Sequence, residues 1–223
     1  MNRFLIDLHC HTQDHSYDGQ VPAEEMCRKL LALGFAGVAF TDHNYVWPQE
    51  ELEELRERAG LPGHFCLFSG QEVRTASEGI VRGDLLVFGV PVCLPDDTDP
   101  RELFRLINEH GGFCLAPHPG VPRIGFEEDL ANFPIVAAES WNGRYGRDVA
   151  RRSRLLIDAC GLPEFGGSDA HRPEEIGGGG TTFPRTPESL EDIARMLSAG
   201  EGQPWIPGSV DRMRRWLRKR MAI

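Results

Sequence analysis

Short apolar runs alternate with amphipathic stretches along nearly the whole chain. The first run, Phe4-Leu5-Ile6, ends in the polar cluster Asp7-Leu8-His9-Cys10-His11-Thr12. Further runs at 36–40, 65–69, 84–89, 113–116, 135–138 and 164–165 have the length and composition of buried strands. Between them the apolar positions recur at helical spacing. Met26, Leu30 and Leu33 make one stripe over 22–33, opened by Pro22 and ended by Gly34. Leu52 and Leu55 mark a helix over 48–59, and Leu103, Leu106 and Ile107 another over 100–110. Helices are also predicted over 148–160, 187–197 and 210–220. Strands alternating with helices predict an α/β fold on a parallel sheet. No repeat or composition break marks a second domain, so residues 1–223 are expected to form one, with its core over 1–205. The run 177–180, four glycines, reads as a loop. The stretch 208–220 is basic, and Val210, Met213 and Leu217 space an apolar stripe through it. That pattern predicts a docked amphipathic helix with a solvated face.

With 223 residues the chain can bury one sizeable core. Its formal net charge of −10 argues against a general polyanion binder. Bound cations change that figure, and three divalent ions would bring it to about −4. A phosphate-bearing substrate is therefore compatible with the acidity. The six cysteines are scattered with no Cys-x-x-Cys pair, which favours reduced thiols and a cytoplasmic location over a disulfide framework. No stretch has the form of a signal peptide or the ~20 apolar residues of a membrane span.

The chemistry lies where the apolar runs end. In a strand, residues two apart share a face, so His9 and His11 present their imidazoles side by side, as a divalent metal requires. The alternative for the pair taken alone is surface histidines on an edge strand. But His43, Glu72, His118, Asp169 and His171 each follow a later run, and Asp18 follows the first. In parallel α/β barrels the C-terminal strand ends share one face, where sites form. Imidazoles and carboxylates converging there point to a metal cluster suited to zinc, iron or manganese. Asp7 and Asp42, each just before a ligand-type histidine, read as residues that orient imidazoles or loops, or as surface turn carboxylates. His64 and His110 read as surface or turn residues, and His15 as a possible substitute for Asp18.

The segments Asp7-Leu8-His9-Cys10-His11-Thr12, Ser16-Tyr17-Asp18-Gly19, Thr41-Asp42-His43, Gly70-Gln71-Glu72, Pro117-His118-Pro119 and Gly167-Ser168-Asp169-Ala170-His171 resemble, in order and spacing, the PHP (polymerase and histidinol phosphatase) family of metal-dependent phosphoesterases. The resemblance extends to about Phe183. It implies a distorted (β/α)7 barrel with two or three divalent metal ions. It also implies that His9, His11, Glu72 and Asp169 hold the first ion. Glu72 would bridge to a second ion shared with His118, and Asp18, His43 and His171 would hold a third. Glu72, Asp169 and His118 then carry the catalysis, with a metal-held water as nucleophile. Many relatives carry a histidine just before the run Leu85-Leu86-Val87-Phe88-Gly89; this chain has Asp84. As a second-site ligand Asp84 would shift preference toward harder ions; otherwise it caps a turn after Gly83. Arg144, in a segment resembling the family's, is expected to contact phosphate; Arg74 and Arg123 are less favoured. The resemblance implies a phosphoric ester hydrolase acting on a small phosphorylated metabolite or nucleotide and releasing inorganic phosphate. A nucleic-acid substrate is less favoured, and no membrane partner is expected. The alternatives are a 3′–5′ exonuclease on short oligonucleotides and a non-catalytic, metal-stabilised binding module.

Overall fold

A computed structural model describes residues 4–127 and 130–208. The expected basic helix lies, but for Gly208, outside them. Among the described residues nine strands form one sheet: β1 (Phe4–Asp7), β2 (Gly37–Phe40), β3 (Cys66–Ser77), β4 (Ile80–Phe88), β5 (Phe113–Ala116), β6 (Ala137–Asn142), β7 (Glu164–Gly167), β8 (Gly180–Phe183) and β9 (Gln203–Trp205). The helices are α1 (Ala23–Ala32), α2 (Gln49–Ala59), α3 (Pro100–His110), α4 (Arg147–Cys160) and α5 (Leu190–Ser198). Asp99 and Ser189 begin α3 and α5 by accepting hydrogen bonds from the Arg101 and Asp192 amides.

The spatial order is β7-β6-β5-β4-β3-β2-β1-β8-β9. One apolar cluster takes Ile6, Ala39, Leu86, Leu115, Phe165 and Phe183 from strands along the whole order, so the sheet curls around it. The two ends meet. The Asp169 amide donates to the His9 carbonyl at 2.8 Å, and the His11 amide to the Ala170 carbonyl at 3.0 Å. The Thr181 hydroxyl also joins β8 to both the amide and the carbonyl of Gly166. The result is a nearly closed barrel. Helices α1 and α2 cover one side through Met26, Leu30, Leu52 and Leu55. Leu103, Ile107 and Ile157 of α3 and α4 cover another.

The sheet is mixed, not all parallel. β4 runs antiparallel to β3 and β5, and β8 antiparallel to β1 and β9. The strand expected to stop at Ser69 continues through Ser77 and turns back at Glu78-Gly79. Both turn residues have positive φ, 53° and 77°, the geometry of a tight two-residue hairpin. β4 therefore starts at Ile80, four residues before the run expected at 84–89. Likewise β6 runs on beyond Ala138 through four buried residues to Asn142. The run Gly177-Gly178-Gly179-Gly180 is buried throughout, with Gly180 opening β8. A Cβ on Gly179 would lie 2.1 Å from the Gly167 carbonyl oxygen, so this loop is a close crossing of backbones. Among the described residues no helix is long and apolar enough to cross a membrane.

Candidate metal centre

β1, β2, β5, β6 and β7 all point their C-terminal ends at one face of the barrel. His9 and His11 extend from β1, His43 from β2, His118 from β5, and Asp169 and His171 from β7. Glu72 is different: it lies within the long β3 and is itself bridged to His43. Asp84 reaches the face from the middle of β4, which runs backwards past it, opposite Arg74.

Four donor atoms stand together at the centre. His11 Nε2 is 2.9 Å and His9 Nε2 3.3 Å from Glu72 Oε2, and the two ring nitrogens are 3.3 Å apart. Asp169 Oδ1 lies 3.6 Å from each. Donors about 2.1 Å from a tetrahedral ion stand roughly 3.4 Å from one another. The five separations lie close to that figure, and the mixed nitrogen and oxygen donors suit a transition metal. The other Glu72 oxygen, Oε1, is 3.1 Å from His118 Nε2. The buried Nδ1 of His118 has no hydrogen-bond partner. A third group joins Asp18 Oδ2 to His171 Nε2 at 2.8 Å and His43 Nε2 at 3.4 Å, with His11 alongside. His118 and Asp169 have left-handed backbones, φ 31° and 50°, a strain that non-glycine residues bear where the surroundings hold them.

The charges respond to this crowding. Burial opposes ionisation of His9, yet the charges of Asp169, Glu139 and Glu72 outweigh it and hold its pKa well above the ordinary value. Burial brings His11 down to about 4. Burial also lowers His43, but the Asp18 hydrogen bond and the Glu72 charge prevail and raise it to about 9. Burial opposes the ionised form of Glu72 too, but His9, His11 and His118 hold it well below the usual carboxylate range. Asp84 is pushed up to about 7 by burial and by the Glu72 charge.

The surrounding residues hold the ligand-type side chains in place. Asp7 and Asp42 are both buried, so neither is a surface turn carboxylate. Asp7 Oδ1 accepts from the Ser168 amide at 2.9 Å. Asp42 accepts from the Thr12 amide and hydroxyl and from the Trp47 indole. Ser16 donates to Asp18 Oδ1 at 2.8 Å. His15 instead pairs with Glu51 and stacks on Tyr45, away from Asp18. A cleft of about 230 Å³ opens over the cluster, with Arg74, Asp84, Arg144, Tyr145 and Tyr17 on its walls. Arg144 Nη1 lies 3.1 Å from the His171 ring, whereas Arg74 is held by Asp97 and Asp96. Arg123 borders a different depression. Sequence reasoning missed Glu139 and Asn142, which are buried among the ligand-type residues and hydrogen-bonded to them. The one available signal was the buried polar run following Ile135-Val136.

The PHP domain profile matches residues 7–114, and the PHP-associated profile matches residues 150–201. An uncharacterized protein of Methanocaldococcus jannaschii is 29% identical over 128 residues, covering 52% of this chain and 68% of that protein. PsfC from Pseudomonas syringae PB-5123 has a similar fold, with a TM-score of 0.70, 19% identity and full coverage of both chains. A protein of Bifidobacterium adolescentis with a proposed assignment as a metal-dependent phosphoesterase follows, with a TM-score of 0.60, 18% identity, and coverage of 87% of this chain and 96% of that one. The lesion-specific endonuclease Q of Pyrococcus furiosus gives a TM-score of 0.61 at 15% identity, covering 91% of this chain and 58% of that one. The first profile spans the two loops that bear His9, His11, Asp18 and His43 together with Glu72, and the second spans Asp169 and His171. On these matches, the chain belongs to the PHP domain family.

Proposed function

We propose that this protein is a metal-dependent hydrolase of phosphate esters, acting on a small phosphorylated metabolite or nucleotide. The observation that carries this reading is the pair of His9 and His11 Nε2 atoms, 3.3 Å apart, with Glu72 Oε2 and Asp169 Oδ1 each 2.9–3.6 Å from both. These four would hold one divalent ion. Glu72 Oε1 and His118, with Asp84, would hold a second, and Asp18, His43 and His171 a third. Manganese, zinc and iron all suit such donors, and the Asp84 oxygen favours the harder manganese. Bound there, the ions would supply a nucleophilic water at neutral pH and offset charge on the phosphoryl oxygens.

The chain's own residues position the ester. Arg144 projects from just after β6 into the cleft and presents a planar fork of donors suited to phosphoryl oxygens. The cleft encloses a phosphoryl group and its nearest atoms, while the rest of the ester extends past Tyr17, which is 77% exposed. With only the reacting group enclosed, a broad range of esters is expected to react. An exonuclease reading draws on the open cleft and on the fold shared with endonuclease Q, but the small enclosed volume favours small esters.

The test is phosphate release from a panel of monoesters and short oligonucleotides with added manganese, for the parent and for Arg144→Ala. Turnover of several monoesters is expected, with KM raised on the order of tenfold in Arg144→Ala, the worth of a charged hydrogen bond. Mononucleotide release confined to oligonucleotides would favour the exonuclease. Metal binding without any turnover would favour a binding module.

A further inference from the structure

Glu139 is fully enclosed, at 1% exposure, and each of its oxygens faces a different part of the centre. Oε1 lies 3.2 Å from His9 Nδ1, on the far side of the ring from Glu72 and Asp169. Oε2 accepts from the His118 amide at 2.8 Å and from Asn142 Nδ2 at 2.8 Å. The same Asn142 amide nitrogen lies 3.1 Å from Asp169 Oδ2. One carboxylate thus touches β1's histidine, the strained backbone at His118 and, through Asn142, the strained Asp169. Room for it depends on Gly167. A Cβ there would lie 2.6 Å from Glu139 Oε1 and 2.5 Å from the His9 Cβ.

We propose that Glu139 is a positioning residue that sets the tautomer of His9, keeping the ring proton on Nδ1 so that Nε2 is free to ligate. This rests on the metal-dependent reading above. A histidine ligand has one nitrogen for the ion, and the partner of its other nitrogen decides which one that is. An acceptor at Nδ1 holds the proton there.

The hydrogen bonds around Oε2 make Glu139→Gln a discriminating change. Two N–H donors, from His118 and Asn142, converge on Oε2, whereas one ring nitrogen faces Oε1. The glutamine oxygen therefore takes the Oε2 place, satisfying both donors, and its NH2 turns to His9. A donor facing Nδ1 makes that nitrogen an acceptor and moves the neutral ring's proton to Nε2, where the ion would bind. Size and the other two hydrogen bonds are kept, so the barrel is expected to fold as before.

The experiment uses the whole protein loaded with zinc. Nitrogen-15 correlation spectra of the histidine rings are expected to show His9 with Nδ1–H and a ligated Nε2. Zinc affinity, measured by competition with a chromogenic chelator, is expected to fall 10- to 100-fold at one site in Glu139→Gln. The Tm of the chelated variant should stay within a few degrees of the parent's. A zinc-loaded parent with His9 ligated through Nδ1 would overturn the proposal without any variant, and so holds even if Glu139→Gln fails to fold. Affinity in the variant within threefold of the parent's would also overturn it. If the parent itself bound no zinc, the metal-dependent reading would fail as well; the parent titration separates that failure from the role of Glu139.

Discussion

Glu72→Gln removes the one carboxylate whose two oxygens face different histidine groups. Oε2 lies 2.9 Å and 3.3 Å from the His11 and His9 nitrogens, and Oε1 3.1 Å from that of His118. Glutamine keeps the shape and one oxygen but carries no charge. Coulomb's law gives about 4 kcal/mol for a pair of unit charges 4 Å apart at an effective dielectric of 20. A carboxylate at coordination distance from a divalent ion is closer and faces twice the charge, so about 4 kcal/mol is a lower figure for the loss at each ion. That corresponds to on the order of a thousandfold in affinity. Phosphate release should fall by at least as much at limiting metal. Chelator competition measures the affinity, elemental analysis the stoichiometry, and steady-state kinetics the turnover. Because Glu72 is held well below the usual carboxylate range in the metal-free protein, its stabilisation there is present above about pH 4.5 and lost as pH falls further. The chelated variant is thus modestly less stable than the parent at neutral pH. If metal affinity and turnover stayed within threefold of the parent, the bridging position of Glu72 and the mechanism built on it would be refuted.

In the chelated protein, stability should fall as pH rises. Asp7, raised by burial, and Asp84, raised by burial and by Glu72, both reach about 7, so the folded state holds protons that the unfolded chain gives up near 3.8. His43 reaches about 9, so its contribution is full below 6.5 and lost by 9, a change of roughly 3 kcal/mol. Urea unfolding in excess chelator at pH 6 and pH 9 checks this, and greater stability at pH 9 would contradict it. Gly167→Ala should destabilise the fold by about 1–3 kcal/mol and weaken metal binding, since the added carbon meets His9 and Glu139 directly. A thermal melt and zinc titration indistinguishable from the parent's would show that the site tolerates the displacement.

Much of the candidate centre was legible because imidazoles and carboxylates rarely follow one buried run after another without a chemical reason. His9, His11, His43, His118, Asp169 and His171 all stand beyond strand ends, and the structure brings them within a few ångströms. Glu139 follows the run 135–138 in the same way, but a single carboxylate with no histidine beside it is a weak signal. It is a common residue type in mid-strand, and its partner His9 lies 130 positions away in the chain. The direction of β4 was equally hidden. Leu85-Leu86-Val87-Phe88 looks the same whichever way it runs, and the Glu78-Gly79 turn that reverses it lacks the Asn-Gly form of the strongest hairpin signals. The closing pair β8 and β9 is short and depends on pairing with β1 rather than on its own periodicity.

The barrel is closed by hydrogen bonds from residues 169–170 to residues 9–11, the residues that also form the first donor group. A ribosome adds about 5–20 residues per second, so the histidines of the first strand wait roughly ten to thirty seconds for their partners. During that interval β1, β2 and β3 can pair, but the donor group lacks Asp169. The proposed capture of an ion by these residues would therefore come late in biosynthesis, after β7 and the loop that follows it have been made.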